Sequence, residues 1–289
     1  MNQEITKRIN DLKNDRLHGA NWLSIQAINL LSLTIKASRA DTIADFLNEL
    51  KMTTVTIIEA RPNMISIANY TCQFLSTITN IAQNQRQLDY VKNTAQAMVN
   101  ELIKFAQEAT AKVTETGAKI ITDQDVIITC SYSSTVCKAF IAAKQWGTEF
   151  RVIVAESRYK DNDYGEISAR QLKQHKITTT LIRDKEINRY TKESNKALVG
   201  ADTILANGSL INGTPSYKLA QAASSAKINF YSLGETAKID VRNCYGNHPA
   251  AEPGFDIIPS NLITAFITET GRTRPKDIIN YISRYQGNC

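Results

Sequence analysis

Glycine and proline are spread so unevenly along this chain that they divide it in two. Of the twelve glycines and six prolines, only Gly19 and Pro62 fall within the first 116 residues. These two residue types interrupt helices, so a segment this long and nearly free of them is predicted to be helical. The apolar spacing agrees: Trp22, Leu23, Ala27, Leu30 and Leu31 recur at helical intervals, as do Ile43, Ala44, Leu47 and Leu50. No breaker stands between Pro62 and Gly117, too long a stretch for one uncapped globular helix. Two helices are therefore expected there, separated near Gln83-Asn84-Gln85-Arg86-Gln87. Two spots stand out in this half. His18-Gly19-Ala20 puts small residues at a helix start, where a backbone can approach a ligand or another helix. Thr56 to Asn63 reads as an extended segment before Pro62, which then opens the next helix. Arg61 in that junction suits either a carboxylate partner or a phosphate fork, and spacing does not choose between them.

Beyond Gly117 the pattern changes to short apolar runs alternating with helices. Val126–Thr129, Phe150–Ala155, Thr178–Ile182, Asp202–Ala206 and Asn229–Leu233 read as strands. Ser133–Trp146, Gly165–His175, Glu186–Ala197 and Pro215–Ala226 read as the helices between them. Strands alternating with helices of this length imply βαβ units and a parallel sheet. The predicted fold class is α/β: a helical domain over 1–116, then a Rossmann-like parallel-sheet domain over 117–289.

Composition narrows the classes. No run of apolar residues is long enough to span a bilayer, so no membrane association is expected. The polar, acid-bearing start (MNQEITKRINDLKNDR) does not read as a secretory signal or transit peptide. Five cysteines (Cys72, Cys130, Cys137, Cys244, Cys289) lack C-x-x-C spacing, which supports neither a metal site nor a disulfide framework, and a cytoplasmic setting is expected. The net charge of +6, from 34 basic and 28 acidic residues, comes without a Lys/Arg block. It suits phosphate ligands better than direct nucleic-acid binding.

In an open parallel sheet, ligands bind beyond the carboxyl ends of the strands. The predicted strand ends carry Cys130-Ser131-Tyr132-Ser133-Ser134, Glu156-Ser157-Arg158, Arg183-Asp184, Asn207-Gly208-Ser209 with Asn212, and Gly234-Glu235-Thr236-Ala237-Lys238. Five polar loops on one edge suit a polyhydroxylated, phosphorylated small molecule. The bland readings are N-capping for the first loop and surface ion pairs for Glu156–Arg158 and Glu235–Lys238. The stretch VGADTILANGSLINGTPSYKLA (199–220) runs strand, glycine turn, helix start, an arrangement that can point free N–H groups at an anion. Dinucleotide, Walker and H-E-x-x-H motifs are missing, and none of the three histidines lies in an obvious partner loop for a Ser–His–Asp reading of Ser131. No cofactor or metal is expected.

These loops, in this order, resemble a known superfamily. VIITCSYSSTV, VIVAESR, VGADTILANGSLIN, FYSLGETAK and FDIIPSNLITAFITETG are similar to motifs shared by the alpha, beta and delta subunits of translation initiation factor 2B, methylthioribose-1-phosphate isomerase and ribose-1,5-bisphosphate isomerase. DRLHGA (15–20) and ARPN (60–63) resemble its N-terminal motifs. The resemblance implies a helical domain joined to a Rossmann-like one, with a homodimer or higher oligomer built through the latter and other translation-factor subunits as further candidate partners. It implies an isomerase cysteine after the first strand and an aspartate in the G-A-D motif. Asp202 matches the aspartate, but Ser131 stands at the cysteine's position, and Cys130 sits one residue early with its side chain pointing oppositely. Gly213 stands where the isomerases carry a phosphate-holding lysine. Gly19, Ala20, Arg61, Ser133, Arg158, Asn207, Asn212, Glu235 and Lys238 are the candidate ligand contacts, with Asp202, Ser131 and, more weakly, Cys130 the candidate catalytic groups. Two functions follow: a regulatory or scaffold protein binding a sugar phosphate or nucleotide without isomerase activity, and an aldose–ketose sugar-phosphate isomerase.

Overall fold

The computed structural model describes residues 2–15, 18–160, 162–241 and 253–282. Two compact units meet in the chain between Glu108 and Ala109. The first is helical: α1 (Gln3–Asn14), α2 (Ala20–Ala37), α3 (Ile43–Ala60), α4 (Ile65–Gln83) and the beginning of α5 (Leu88–Lys119). Side chains fix where the helices begin. Asn2 Oδ1 accepts from the Glu4 N–H at the head of α1, and Thr42 Oγ1 accepts from the Asp45 N–H at the head of α3. Leu23, Ala27 and Leu31 of α2, Phe46, Leu50 and Ile57 of α3, and Phe74 and Ile78 of α4 are almost fully buried.

The break predicted near 83–87 lies between α4 and α5. The extended reading of 56–61 is corrected: α3 continues through Ala60, and Arg61 is its C-cap. The helical continuation from Met52 outweighs the local bias of a residue preceding proline, which acts only on Arg61 itself. Pro62 lies in a turn, and the next helix starts at Ile65. Cys72, buried on α4, is disulfide-bonded, which the scattered cysteine spacing did not suggest.

The second unit follows in the order β1 (Val126–Thr129), α6 (Ser134–Gln145), β2 (Arg151–Ala155), the small hairpin β3 (Arg158–Tyr159) and β4 (Asn162–Asp163), α7 (Tyr164–Gln174), and β5 (Thr178–Ile182). Then come α8 (Ile187–Thr191), β6 (Lys196–Val199), β7 (Thr203–Ile204), β8 (Leu210–Gly213), α9 (Ser216–Ser225) and β9 (Asn229–Leu233). The described part ends with β10 (Phe255–Ile258), β11 (Ala265–Thr268), β12 (Gly271–Thr273) and α10 (Ile279–Ile282). Seven strands form one sheet in the order β12-β11-β9-β6-β1-β2-β5, parallel except for β12.

The inner strands of this sheet are buried on both faces, which explains why they read as near-continuous apolar runs, whereas the edge strand β5 is largely exposed. Ile128, Ile153, Ala197, Val199 and Phe230 pack on one side with Leu219 and Ala223 of α9. Ile127, Val152, Val154 and Leu198 pack on the other with Phe140 of α6 and Leu172 of α7.

Two assignments in the middle of this unit are corrected. Glu186–Ala197 is not one helix, because α8 stops at Thr191 and Lys196–Val199 is the fourth parallel strand. Consequently Asp202–Ala206 is not in the main sheet. Thr203–Ile204 belongs instead to a separate antiparallel sheet, β10-β8-β7. The apolar stretch from Ile257 to Ile267 mostly fills the chain's own core: Ile258, Ile263, Ala265, Phe266 and Ile267 are buried, and Ile257 is 37% exposed.

Candidate functional site

Along the sheet, β1 is followed outward on one side by β2 and β5, and on the other by β6, β9 and β11. The strand order therefore reverses between β1 and β6, and a crevice at such a point is where doubly wound sheets bind ligands. Beyond β1 the chain passes through Cys130, Ser131 and Tyr132 to Ser133, and beyond β6 through Gly200 and Ala201 to Asp202. The two segments approach closely: a Cβ at Gly200 would lie 2.6 Å from Ser133 Oγ. Glycine at 200 is thus what allows the walls to meet, and the sequence offered no sign of that contact.

Ser131 is the most constrained residue here. Its φ of 62° is left-handed, uncommon for a side-chain-bearing residue. Its N–H donates to Ser157 Oγ at 2.6 Å, and its carbonyl accepts from Ser168 Oγ at 3.1 Å. Ser157 is itself left-handed (φ 52°), and its N–H donates to Asp184 Oδ1 at 2.8 Å. The Arg158 N–H reaches the other Asp184 oxygen at 3.2 Å. The loops after β1, β2 and β5 are therefore tied into one hydrogen-bonded chain that fixes the Ser131 backbone. Ser157 and Asp184 lay in the strand-end loops offered by the sequence but were not named as contacts, and Ser168 was not offered at all, because their role lies in pairing across strands. Gly213 packs against the Ser131 side chain, with an added Cβ only 2.5 Å from Ser131 Oγ. Ser133 caps α6, accepting from the Val136 N–H at 3.3 Å, so the bland reading holds for that residue.

Cys130, one residue earlier, packs into the core on the α9 side of the sheet. The left-handed backbone at Ser131 lies outside the strand, so alternation does not set their relative directions. Cys130 is 1% exposed within the apolar core, and burial pushes its thiol up to about 12. Its Sγ lies 3.3 Å from Ser216 Oγ. Asn212, with its amide turned to satisfy both ends, sets its nitrogen 3.3 Å from Gly200 O and from Asp202 Oδ2, and its oxygen 2.8 Å from Ser216 Oγ. A polar thread therefore runs beneath the crevice from Cys130 through Ser216 and Asn212 to Asp202. Asp202 is half-buried, and its N–H donates to Ile211 O at 3.1 Å.

The helix start predicted to offer N–H groups to an anion is already served by the chain itself. Asp256 on β10 accepts from the Tyr217 N–H at the head of α9 (3.0 Å) and from Thr214 Oγ1 (2.9 Å). Asn207 is not at the edge of the main sheet. It forms the turn between β7 and β8, its Oδ1 accepting from the Ser209 N–H at 2.9 Å, with Gly208 at φ 78°.

The outer candidates pair differently from expectation. Arg158 grips Asp163 in a two-pronged pair (2.7 and 3.0 Å) rather than Glu156. The hairpin β3–β4 brings Asp163 to it, a fold that the loop sequence did not announce. Glu235 and Lys238 form an ion pair at 3.2 Å, but each is 4% exposed, so the surface reading is corrected. Burial pushes the Glu235 carboxyl up, and Lys238 together with Thr110 Oγ1 at 2.6 Å outweighs it and holds the group below its usual value.

In the helical unit, Gly19 is the N-cap of α2 and Ala20 its first residue. His18 stacks on Trp22 at 3.8 Å and bonds Asp15 through Nδ1 at 2.7 Å. Arg61 donates from Nε to Leu12 O at 2.9 Å and from a terminal nitrogen to Asp15 O. The guanidinium thus closes the carboxyl end of α1, a use that neither sequence reading anticipated. Among the described residues, no group of three or more His, Cys, Asp or Glu side chains is placed to hold a metal, and no helix is long and apolar enough to cross a membrane.

Comparison with known proteins agrees with this architecture. A Pyrococcus furiosus eIF-2B subunit 2-like protein is 30% identical over 96% of this chain and 99% of its own length. The ribose 1,5-bisphosphate isomerase of Thermococcus kodakarensis is 26% identical over 97% of this chain and 94% of its own. The crystal structure of the Pyrococcus horikoshii translation initiation factor eIF-2B superposes with a TM-score of 0.82 at 25% identity, covering 96% of this chain and all of that one. The model of the Initiation factor 2 subunit family matches residues 16–249, and the chain belongs to that family.

Proposed function

We propose that this chain is a regulatory or scaffold protein of the initiation-factor-2B type that binds a sugar phosphate or nucleotide in the β1–β6 crevice and does not isomerise it. The observation that carries this reading is the state of Ser131. Among the described residues, no side chain hydrogen-bonds to its hydroxyl, although the resemblance implies a catalytic cysteine at this position in the isomerases. A serine hydroxyl needs an adjacent base to act as a nucleophile or proton carrier. Cys130 is no substitute, because its thiol stays protonated far above neutral pH and faces the core. Aldose–ketose interconversion needs a group that exchanges a proton near neutrality.

The same lining suits binding. Ser131 supplies a hydroxyl and half-buried Asp202 a carboxylate for sugar hydroxyls, with Asn212 bonded to Asp202 and Ser216 beneath them and Ser133 spent on the cap of α6. Mass spectrometry of small molecules released from the purified protein tests this half of the reading. A phosphorylated sugar or nucleotide is expected in stoichiometric amount, or at least as a ligand that raises the melting temperature when added back. Failure of a full panel of sugar phosphates and nucleotides to do so would remove the binding claim. The isomerase alternative is favoured by Asp202 and by similarity to a relative bearing that name.

A further inference from the structure

Away from the sheet, the helical unit contains a cavity of its own with a volume of about 380 Å³. It opens among the start of α1 (Asn2, Ile5), the end of α2 (Thr34, Ala37, Ser38, Arg39) and the middle of α3 (Glu49, Met52, Thr53). Its size lies at the small end of the ligand-site range, roughly 300–1,000 Å³, which favours a metabolite over a nucleotide. Two charged side chains line it, Arg39 and Glu49, and they do not pair with one another. Among the described residues neither has any hydrogen-bonding or ionic partner, and Glu49 Oε2 is shut off from solvent with none.

A carboxylate oxygen in that position is costly, because it has given up water without gaining a donor. Several acids and bases on this protein's helices pair along the exposed face, as Glu4 with Arg8 and Glu115 with Lys119, and water serves the exposed charges left over. A carboxylate oxygen shut off from water, in one cavity with a base it does not pair with, is a different pattern. A dianionic phosphate would meet Arg39 but be repelled by Glu49, and a simple amine would meet the reverse. A molecule carrying both charges satisfies both walls. Ile5, Ala37 and Met52 supply apolar surface for its body, Met52 being 59% exposed with nothing yet covering it. Arginine's planar fork is suited to a carboxylate, and Glu49 to an ammonium.

We infer that this cavity binds a small aliphatic zwitterion, an α-amino acid with an apolar side chain, its carboxylate on Arg39 and its ammonium on Glu49. The site is independent of the crevice and of what that crevice binds.

The test uses the full chain with L-leucine, L-valine and L-methionine, followed by ligand-observed NMR and by thermal shift. Leucine methyl ester, which lacks the negative charge, and 4-methylpentanoate, which lacks the positive one, serve as matched controls. At least one amino acid is expected to bind, and both controls to bind about tenfold more weakly or worse, the loss of one charge-assisted contact. Glu49→Gln and Arg39→Gln should each weaken binding by a similar factor while circular dichroism remains unchanged. Three results would overturn the inference: no binding by any of the amino acids, equal binding by the single-charge controls, or binding insensitive to both substitutions. The controls need only the unaltered protein, so the inference stays testable even if a variant fails to fold.

Discussion

Glu235 keeps its charge at 4% exposure only because Lys238 and Thr110 stand against it. A buried pair of this kind adds little to stability as a whole, yet breaking it strands a charge, at a cost of about 3–5 kcal/mol. Lys238→Met should therefore lower unfolding free energy by about that amount in chemical denaturation. The pH dependence follows from the sign of the shift. The folded-state carboxyl is held below its usual value of 4.5, so its contribution is complete above that pH and is lost as pH falls through the lowered value. Glu235→Gln should flatten the acid limb of the stability profile below about pH 4.5, and an unchanged limb would show that other carboxylates control it. Cys130 shifts the opposite way. With its thiol raised to about 12, it should resist iodoacetamide at pH 8 in the folded protein and react once urea unfolds the chain, as peptide mapping would reveal.

At the scale of elements, two joints define the second unit. A Cβ at Gly165 would lie 1.9 Å from Ala155 O, so α7 can begin against the end of β2 only without a side chain there. Gly165→Ala should destabilise the protein by about 3 kcal/mol, the upper part of the overpacking range, measured by denaturant midpoint. Asp256→Ala removes the cap of α9 and should cost about 1 kcal/mol. The sequence made some of this architecture legible and hid the rest for physical reasons. Thr178–Ile182 and Asn229–Leu233 were found at their observed bounds, because flanking turns frame each run of β-branched or aromatic residues. Lys196–Val199 was absorbed into a helix, since a short buried strand has no periodicity to separate it from a helix end. That displaced the fourth parallel strand by six residues and moved attention from Gly200 to Asn207. Ser131 and Asp202 were singled out by their motifs, which do not depend on the strand assignment. The ties that hold Ser131, from Ser157, Ser168 and Asp184, join residues 26 to 37 positions apart, and no local pattern records them.

For the whole molecule, we propose assembly into a dimer or larger oligomer, an expectation carried by the family resemblance. The apolar stretch that first suggested an interface is largely spent on the chain's own core, with Ile257 the part left exposed. Light scattering at micromolar concentration should report a multiple of 32.2 kDa, and a single-chain mass would remove the proposal. The central claim, that the crevice binds without isomerising, rests on a serine whose hydroxyl has no hydrogen-bonded base among the described residues, where the isomerases are expected to carry a cysteine. The direct measurement incubates the protein with ribose-1,5-bisphosphate, and separately with methylthioribose-1-phosphate, and follows ketose formation by NMR. The account predicts turnover far below about one per second, the low end of ordinary enzyme rates, and an increase on Ser131→Cys substitution. Turnover by the unaltered protein at about one per second or faster on either substrate would contradict it.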